Sequence, residues 1–441
     1  MIVIKNGRVI DPGSGRNEIA DIEIRDGRVY SIGRNGGGNS RNDCCQENSS
    51  RESDGNESCA RVIDAAGKVV APGLIDVHSH FRDPGQTEKE DIYTGAAAAK
   101  RGGYTTIICM ANTKPPADSE ETLRYVAEKA RATGIHVLQS ACITKGMGGA
   151  ELVDMQALRL AGAAGFTDDG LPILDVSLAR EAMLAAKEIG AVLSFHEEDP
   201  RLIDKPGVHK GRISEALGVP GASKSAEDVM VARDCMLALE TGARINIQHI
   251  SSGTAVEMVR LAKKLGADVW AEATPHHFSM TEEAVMRFGA NAKMNPPLRT
   301  ENDRLAIIQG LLDDTIEIIA TDHAPHTAAE KAKGLLDAPS GIVGLETALA
   351  AGNTYLVRPG HMALEQLLKK LTCKPAELYG LPAGSIAPGS AADLVIFDPE
   401  ESWTVTGDFA SKGKNSPFIG QTLFGRVKYT ICGGEIVYED R

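Results

Sequence analysis

Two histidines one residue apart, His78 and His80, close the apolar run Leu74-Ile75-Asp76-Val77. On a strand, side chains at i and i+2 share a face, so both imidazoles point the same way and Arg82 continues that face. Paired imidazoles at a strand end suit a divalent metal ion. Other apolar runs end in similar residues: His196 follows Leu193-Ser194-Phe195, His249 follows Ile245-Asn246-Ile247-Gln248, and Asp322 follows Ile318-Ile319-Ala320-Thr321. Phe166-Thr167 runs into the pair Asp168-Asp169. Singly, each has a structural alternative, since a histidine there can cap the backbone, an aspartate can be an N-cap, and Asp168-Asp169-Gly170 can be a turn. Jointly they make a ligand set. Imidazoles with carboxylates and no thiolate suit Zn2+ at a hydrolytic site, with other divalent ions as alternatives. Such an ion brings the pKa of bound water to about 7. The hydroxide then needs a proton acceptor, and Asp322 is placed for that task. Cys109 and Cys142 read as core thiols, and His136, His209 and His361 fall outside the pattern and receive no role.

The elements that must position these residues repeat as strand, loop and helix. The expected strands are Leu74–His78, Thr105–Met110, His136–Ile143, Gly165–Thr167, Ala191–His196, Arg244–Ile250, Asp268–Thr274 and Ile316–Thr321. Helical periodicity lies between them at Glu120–Thr133, Val176–Ile189, Ser225–Thr241 and Thr254–Leu265, and beyond them near Gly344–Ala351 and Met362–Leu371. Eight such units close a parallel (β/α)8 TIM-type barrel, whose chemistry sits at the C-terminal strand ends. That is where the candidate ligands fall. Residues 1 to about 34 alternate apolar and polar around Asn6-Gly7 and Asp26-Gly27, which is hairpin chemistry, and 390–441 is β-like again. Neither terminal piece buries enough to stand alone, so 1–71 and 390–441 are expected to form one small β-sandwich-like domain beside a 72–389 barrel. The stretch 35–60 is Gly, Asn, Ser and charge, and reads as a disordered insert.

Composition narrows the partners. The 441 residues carry a net charge of −13, which argues against nucleic acid or an anionic membrane. It leaves an anionic substrate open, because a metal ion and one buried arginine set the local field. No run of about 18 apolar residues is present, and the first residues look like a strand rather than a signal peptide, so a cytoplasmic protein is expected. Eight cysteines without CxxC spacing fit reduced thiols.

The stretch from Asp76 to Gly85, Asp-Val-His-Ser-His-Phe-Arg-Asp-Pro-Gly, resembles the metal motif of the cyclic amidohydrolases, and especially the type-I bacterial dihydroorotases. Ala111-Asn112-Thr113-Lys114-Pro115, Phe166-Thr167-Asp168-Asp169-Gly170, Lys293-Met294-Asn295-Pro296-Pro297 and Thr321-Asp322-His323-Ala324-Pro325-His326 extend the likeness. The resemblance implies reversible cyclisation of N-carbamoyl-L-aspartate to L-dihydroorotate in pyrimidine synthesis, by metal-bound hydroxide with Asp322 as the proton carrier. It implies one or two Zn2+ on His78, His80, Asp169, His196, His249 and Asp322. It also implies substrate contacts from His80, Arg82, Asn112, Asn295, His326, Ser340 and Gly341. Many relatives bridge two metals with a carboxylated lysine from the fourth strand. This chain has no lysine there, so any bridge is Asp169. Ala111 stands where the family usually has proline, and the pair His276-His277 is left structural. A homodimer, with aspartate carbamoyltransferase as a further partner, is the family expectation. The alternatives are a hydantoinase or allantoinase, and a non-catalytic barrel scaffold for another pyrimidine-pathway enzyme.

Overall fold

The computed structural model describes residues 1–33, 60–205 and 207–440. The expected disordered insert at 35–60 lies, apart from Ala60, outside the described residues. Eight short strands carry the site: Leu74–Ser79, Tyr104–Cys109, His136–Gln139, Phe166–Thr167, Leu193–Phe195, Ile245–Ile247, Val269–Ala273 and Ile318–Ile319. Neighbours pair in parallel and in chain order. Two seams complete the ring. Between the third and fourth strands, the Thr167 N–H donates to the Ala141 carbonyl at 2.8 Å. Between the eighth and the first, the His80 N–H donates to the His323 carbonyl at 2.8 Å. This is the expected (β/α)8 barrel.

Most of the strands are shorter than the apolar runs that announced them, and the cause is local. A ladder ends where the chain must turn to aim a polar side chain inward. His196 follows directly on Phe195, and His249 and Asp322 take the left-handed region at φ +35° and +46°, which a strand cannot accommodate.

The helices hold the ring from outside with apolar faces built largely of alanine. Val176–Glu188 buries Ala179, Ala182, Met183 and Ala186, and its first N–H groups are taken by Asp175. Glu120–Ala130, Ser225–Thr241 and Gly253–Leu265 occupy the spans expected of them. Glu301–Leu312 adds the helix that the strand–helix alternation requires before the eighth strand; Thr300 caps it, and it buries Ile307, Ile308 and Leu311. Beyond the eighth strand, Ala348–Gly352 and Leu364–Leu371 correspond to the two later helical stretches.

Both chain ends contribute to a separate eight-stranded sheet, ordered Glu435–Glu439, Thr422–Cys432, Leu394–Thr404, Val69–Pro72, Ile2–Asp11, Arg16–Arg25, Arg28–Gly33, with Arg61–Asp64 also paired to Ile2–Asp11. It curls back on itself, the Val29 N–H reaching the Ser390 carbonyl and the Ala392 N–H the Gly27 carbonyl. Ile4, Val9, Ile22, Ile24, Val70, Leu394, Ile396 and Ile431 fill its own core. Between the sheet strands Leu394–Thr404 and Thr422–Cys432, residues 405–421 run across to the mouth of the barrel, and Asn415 there grips Ala324, Gly341 and His326.

Asp76 fastens the closing seam. Its fully buried carboxylate accepts from the Thr321 N–H at 2.9 Å and the Thr321 hydroxyl at 2.6 Å, joining the first strand to the eighth. The Ser79 hydroxyl and the His78 N–H also donate to it, so Asp76→Ala takes the acceptor from four buried donors, each worth about 1–3 kcal/mol where no other acceptor replaces it. Urea unfolding should show a loss of roughly 2 kcal/mol or more; an unchanged midpoint would show that the seam does not depend on this carboxylate.

Candidate active site

The strand ends converge. The Asp169 carboxylate sits among four imidazoles, with Oδ1 3.5 Å from His78 Nε2, 3.7 Å from His196 Nδ1 and 3.6 Å from His249 Nε2, and Oδ2 3.4 Å from His80 Nε2. Asp322 Oδ1 approaches His80 Nε2 at 3.1 Å and His78 Nε2 at 3.5 Å. Two overlapping donor groups result, His78 with His80 and Asp322, and His78 with Asp169 and His249. His78 Nε2 and Asp169 Oδ1 are buried and have no hydrogen-bond partner. Buried polar atoms are rarely left so. Lone pairs directed at a common centre and lacking a donor fit a divalent ion.

Neighbouring groups fix the ring orientations. His78 Nδ1 contacts Glu272 Oε1 at 2.5 Å, so Nε2 is the nitrogen turned to the centre. Glu272 also accepts from the His249 N–H at 3.2 Å and from Asn246 at 3.1 Å. His196 Nε2 meets Glu198 at 3.1 Å. Of the adjacent aspartates, Asp168 turns away and accepts from the Ile143 N–H at 2.8 Å and the Thr144 N–H at 3.2 Å, leaving Asp169 alone in the centre.

Electrostatics follows from crowding these groups out of water. Burial opposes the charge of His196, but Asp169 and Glu198 outweigh it and push the imidazole up to about 10. His78 is likewise raised, burial being overcome by Glu272 and Asp169. Burial also works against ionised Asp322, yet the His80 hydrogen bond and the charge of His78 hold its carboxyl below the usual range. The cluster therefore favours ionised carboxylates and extra positive charge.

Above the cluster lies a cavity of about 250 Å³ whose wall includes every residue expected at the site except His78, which lies fully buried beneath it. Arg82 enters with φ +58°, and its buried Nε has no hydrogen-bond partner. The next residue anchors that loop, Asp83 accepting from Tyr125 and Lys129, each at 2.8 Å. Asn295 Oδ1 is also buried and unpartnered. His326 Nε2 donates to the Ser340 carbonyl at 2.8 Å, and burial together with the Arg82 charge pulls its imidazole down to about 3, so it is neutral. Asn112 is already engaged at both ends of its amide, Oδ1 with His80 Nδ1 at 2.9 Å and Nδ2 with Asp169 Oδ2 at 3.2 Å. Its principal contacts are thus to two candidate ligands. Buried Ala111 holds the loop before it through its carbonyl, which takes the Thr113 and Ala117 N–H groups. Gly341 lies at φ +117°, where a Cβ would fall 2.6 Å from that of Ala324, and its N–H and carbonyl are bound to Lys293 and Asn415.

Sequence reasoning missed Glu272, Glu198, Asp76 and Asn415. Glu272 had a signal, being the one charge in the buried run Val269-Trp270-Ala271-Glu272-Ala273. Asn415 had none, because it reaches the site from far along the chain. His277 bridges Thr274 and the Pro296 carbonyl, which steadies the Asn295 loop. His276 is buried with Nδ1 unpartnered, and burial lowers it to about 4.

The likeness to known proteins agrees with this geometry. Residues 67–255 match a family described as Dihydro-orotase-like. A dihydroorotase of Clostridioides difficile (strain 630) is 58% identical over 438 residues, covering 99% of this chain and 100% of that protein. A dihydroorotase of Clostridium acetobutylicum is 53% identical over 442 residues, covering 100% of both. Among solved structures, the L-hydantoinase of Arthrobacter aurescens superposes with a TM-score of 0.83 at 26% identity, covering 99% of this chain and 96% of that one. Barrel and terminal sheet are thus shared together. With identities of this size running the whole length, the chain belongs to the dihydroorotase family.

Proposed function

We propose that this protein catalyses the reversible hydrolysis of L-dihydroorotate to N-carbamoyl-L-aspartate, opening and closing a cyclic amide. The observation that carries the reading is the Arg82 guanidinium, its buried Nε unpartnered, facing the same cavity as the His–Asp cluster. A planar guanidinium grips a carboxylate with two parallel hydrogen bonds, which a lysine cannot match. Dihydroorotate offers such a carboxylate beside its amide ring. Neutral His326 and the free Asn295 Oδ1 face the remainder of the ring.

His78, His80, Asp169, His196, His249 and Asp322 would hold a divalent ion, which would supply a water acidified to a pKa of about 7 and polarise the amide carbonyl. Asp322, kept ionised by His80 and His78, takes a proton from the attacking water. It passes that proton to the ring nitrogen as the carbon–nitrogen bond breaks, and the new carboxyl group loses its own proton to solvent. Ring closure runs the same path backwards. Zn2+ is the ion this donor set suits, and the two overlapping donor groups that share His78 would hold one ion or two. The same reading includes a cytoplasmic homodimer. Among the described residues no helix is long and apolar enough to cross a membrane.

Metal-loaded protein should interconvert dihydroorotate and N-carbamoyl-L-aspartate while leaving hydantoin and allantoin untouched; absence of turnover with metal bound sinks the reading. Asp322→Asn should fold normally and lower kcat by at least ~10²-fold, whereas near-native turnover removes Asp322 from the proton path. Arg82→Lys should raise KM about tenfold or more with a smaller change in kcat, since a gripping contact to an unreacting group is lost. An unaltered KM contradicts the clamp. Glu272→Gln should weaken metal binding about 10–100-fold, read by metal content per chain after dialysis.

A further inference from the structure

The opposite end of the barrel holds a second cluster that the hydrolytic site does not use. His136 opens the third strand, Asp393 precedes the sheet strand Leu394–Thr404, and Cys432 ends Thr422–Cys432. Three donors from three distant parts of the chain, an imidazole nitrogen, a carboxylate oxygen and a thiol sulfur, lie within 4.8 Å of one another. We propose that His136, Asp393 and Cys432 form a separate, thiolate-containing site for a borderline-soft divalent ion such as Zn2+, tying the barrel to the terminal sheet.

Several features favour the ion. His136 Nε2 and Asp393 Oδ2 are 3.1 Å apart. Two ligands about 2.05 Å from one tetrahedral zinc stand about 3.3 Å apart, so this pair needs almost no movement. Asp393 is already oriented, because its Oδ1 accepts from the Gly433 N–H at 2.7 Å and leaves Oδ2 facing the imidazole. Cys432 is 6% exposed, with Sγ 3.9 Å from the Thr105 carbonyl, so it is screened from bulk oxidants. The His136 side chain is 51% exposed and gives an ion its way in. Imidazole, carboxylate and thiolate with a fourth position left to water is a donor set zinc accepts and magnesium or calcium does not. Binding forms a metal–sulfur bond and releases the thiol proton to solvent.

The probe is Co2+ added to the full-length protein after chelator treatment. The hydrolytic cluster has no thiolate ligand, so a thiolate-to-cobalt charge-transfer band reports a sulfur site and not that centre. Native protein should show the band and hold one more metal equivalent per chain than Cys432→Ser, which should lose the band. His136→Ala, altered at an exposed side chain, keeps its fold and should bind this cobalt at least about tenfold more weakly. Turnover at saturating dihydroorotate should be unchanged in both variants. No band in native protein at saturating Co2+, or a band unaltered in both variants, overturns the proposal. Either result is read from spectra and metal content, so it stands apart from whether the proposed hydrolysis is found.

Discussion

Four imidazoles and two carboxylates gathered within a few ångströms, almost without water, are the constraint on which the rest of this molecule depends. Such a cluster is costly to bury unless its charges are matched and its hydrogen-bonding atoms occupied. Three of the four rings are therefore anchored on the side facing away from the centre, while His249 Nδ1 is buried without a partner. Glu272 holds His78, Glu198 holds His196, and Asn112 holds His80 while also gripping Asp169. What the surroundings leave unanswered is concentrated at the centre, at His78 Nε2 and Asp169 Oδ1. The backbone bends to the same demand. His249, Asp322 and Arg82 all occupy the left-handed region, uncommon outside glycine, and each lines the cavity. Strained conformations persist only where their surroundings over-determine them, and here the buried seam at Asp76 and the ladder hydrogen bonds do so.

The terminal sheet bears on the same problem. A barrel supplies ligands from its strand ends but does not by itself fix the part of the cavity wall that carries His326 and Gly341. That wall depends on a segment beyond the barrel. Asn415 spends its amide on the Ala324 and Gly341 carbonyls and the His326 N–H, setting the height of the loop that carries His326 and Gly341. Ser411 and Lys412 reach back to buried Glu90, which also meets His323 at 3.4 Å. The segment that shapes the substrate wall is thus held between the barrel and a sheet with its own core, which accounts for the sheet being built from both chain ends.

Much of this was legible in the sequence because the signals are local. An apolar run ending in His or Asp reports burial and direction together, as five of the runs do, and eight apolar runs alternating with helices report a barrel. The ligand candidates needed only their position relative to those runs. Legibility failed where geometry is set by distant partners. Asp168 and Asp169 are chemically identical neighbours, and only the Ile143 and Thr144 N–H groups decide which one turns away. Asn112 lines the cavity as expected, but its hydrogen bonds to His80 and Asp169 could not be read from its motif. Glu301–Leu312 gave no clean stripe because Leu305 is exposed on the face away from buried Ile307 and Leu311. His136 was set aside because nothing local distinguishes it, and its partners Asp393 and Cys432 are more than two hundred residues away.

The two ends of the barrel divide their work accordingly. At the C-terminal strand ends the polar residues converge on a cavity and leave their reactive atoms unpaired, which costs stability and creates chemistry. At the N-terminal ends the polar residues pair with one another and with the sheet. His136 meets Asp393, the Lys100 Nζ takes the Thr133 carbonyl, and the Thr430 hydroxyl takes the Lys100 carbonyl. An ion held at this lower end would stiffen the junction between barrel and sheet without entering the reaction. Because the sheet's outgoing segment carries Asn415, stiffness there reaches the substrate wall only through the loop between them. An effect on substrate binding therefore has a physical route from the lower end, whereas an effect on the proton transfer at Asp322 has none.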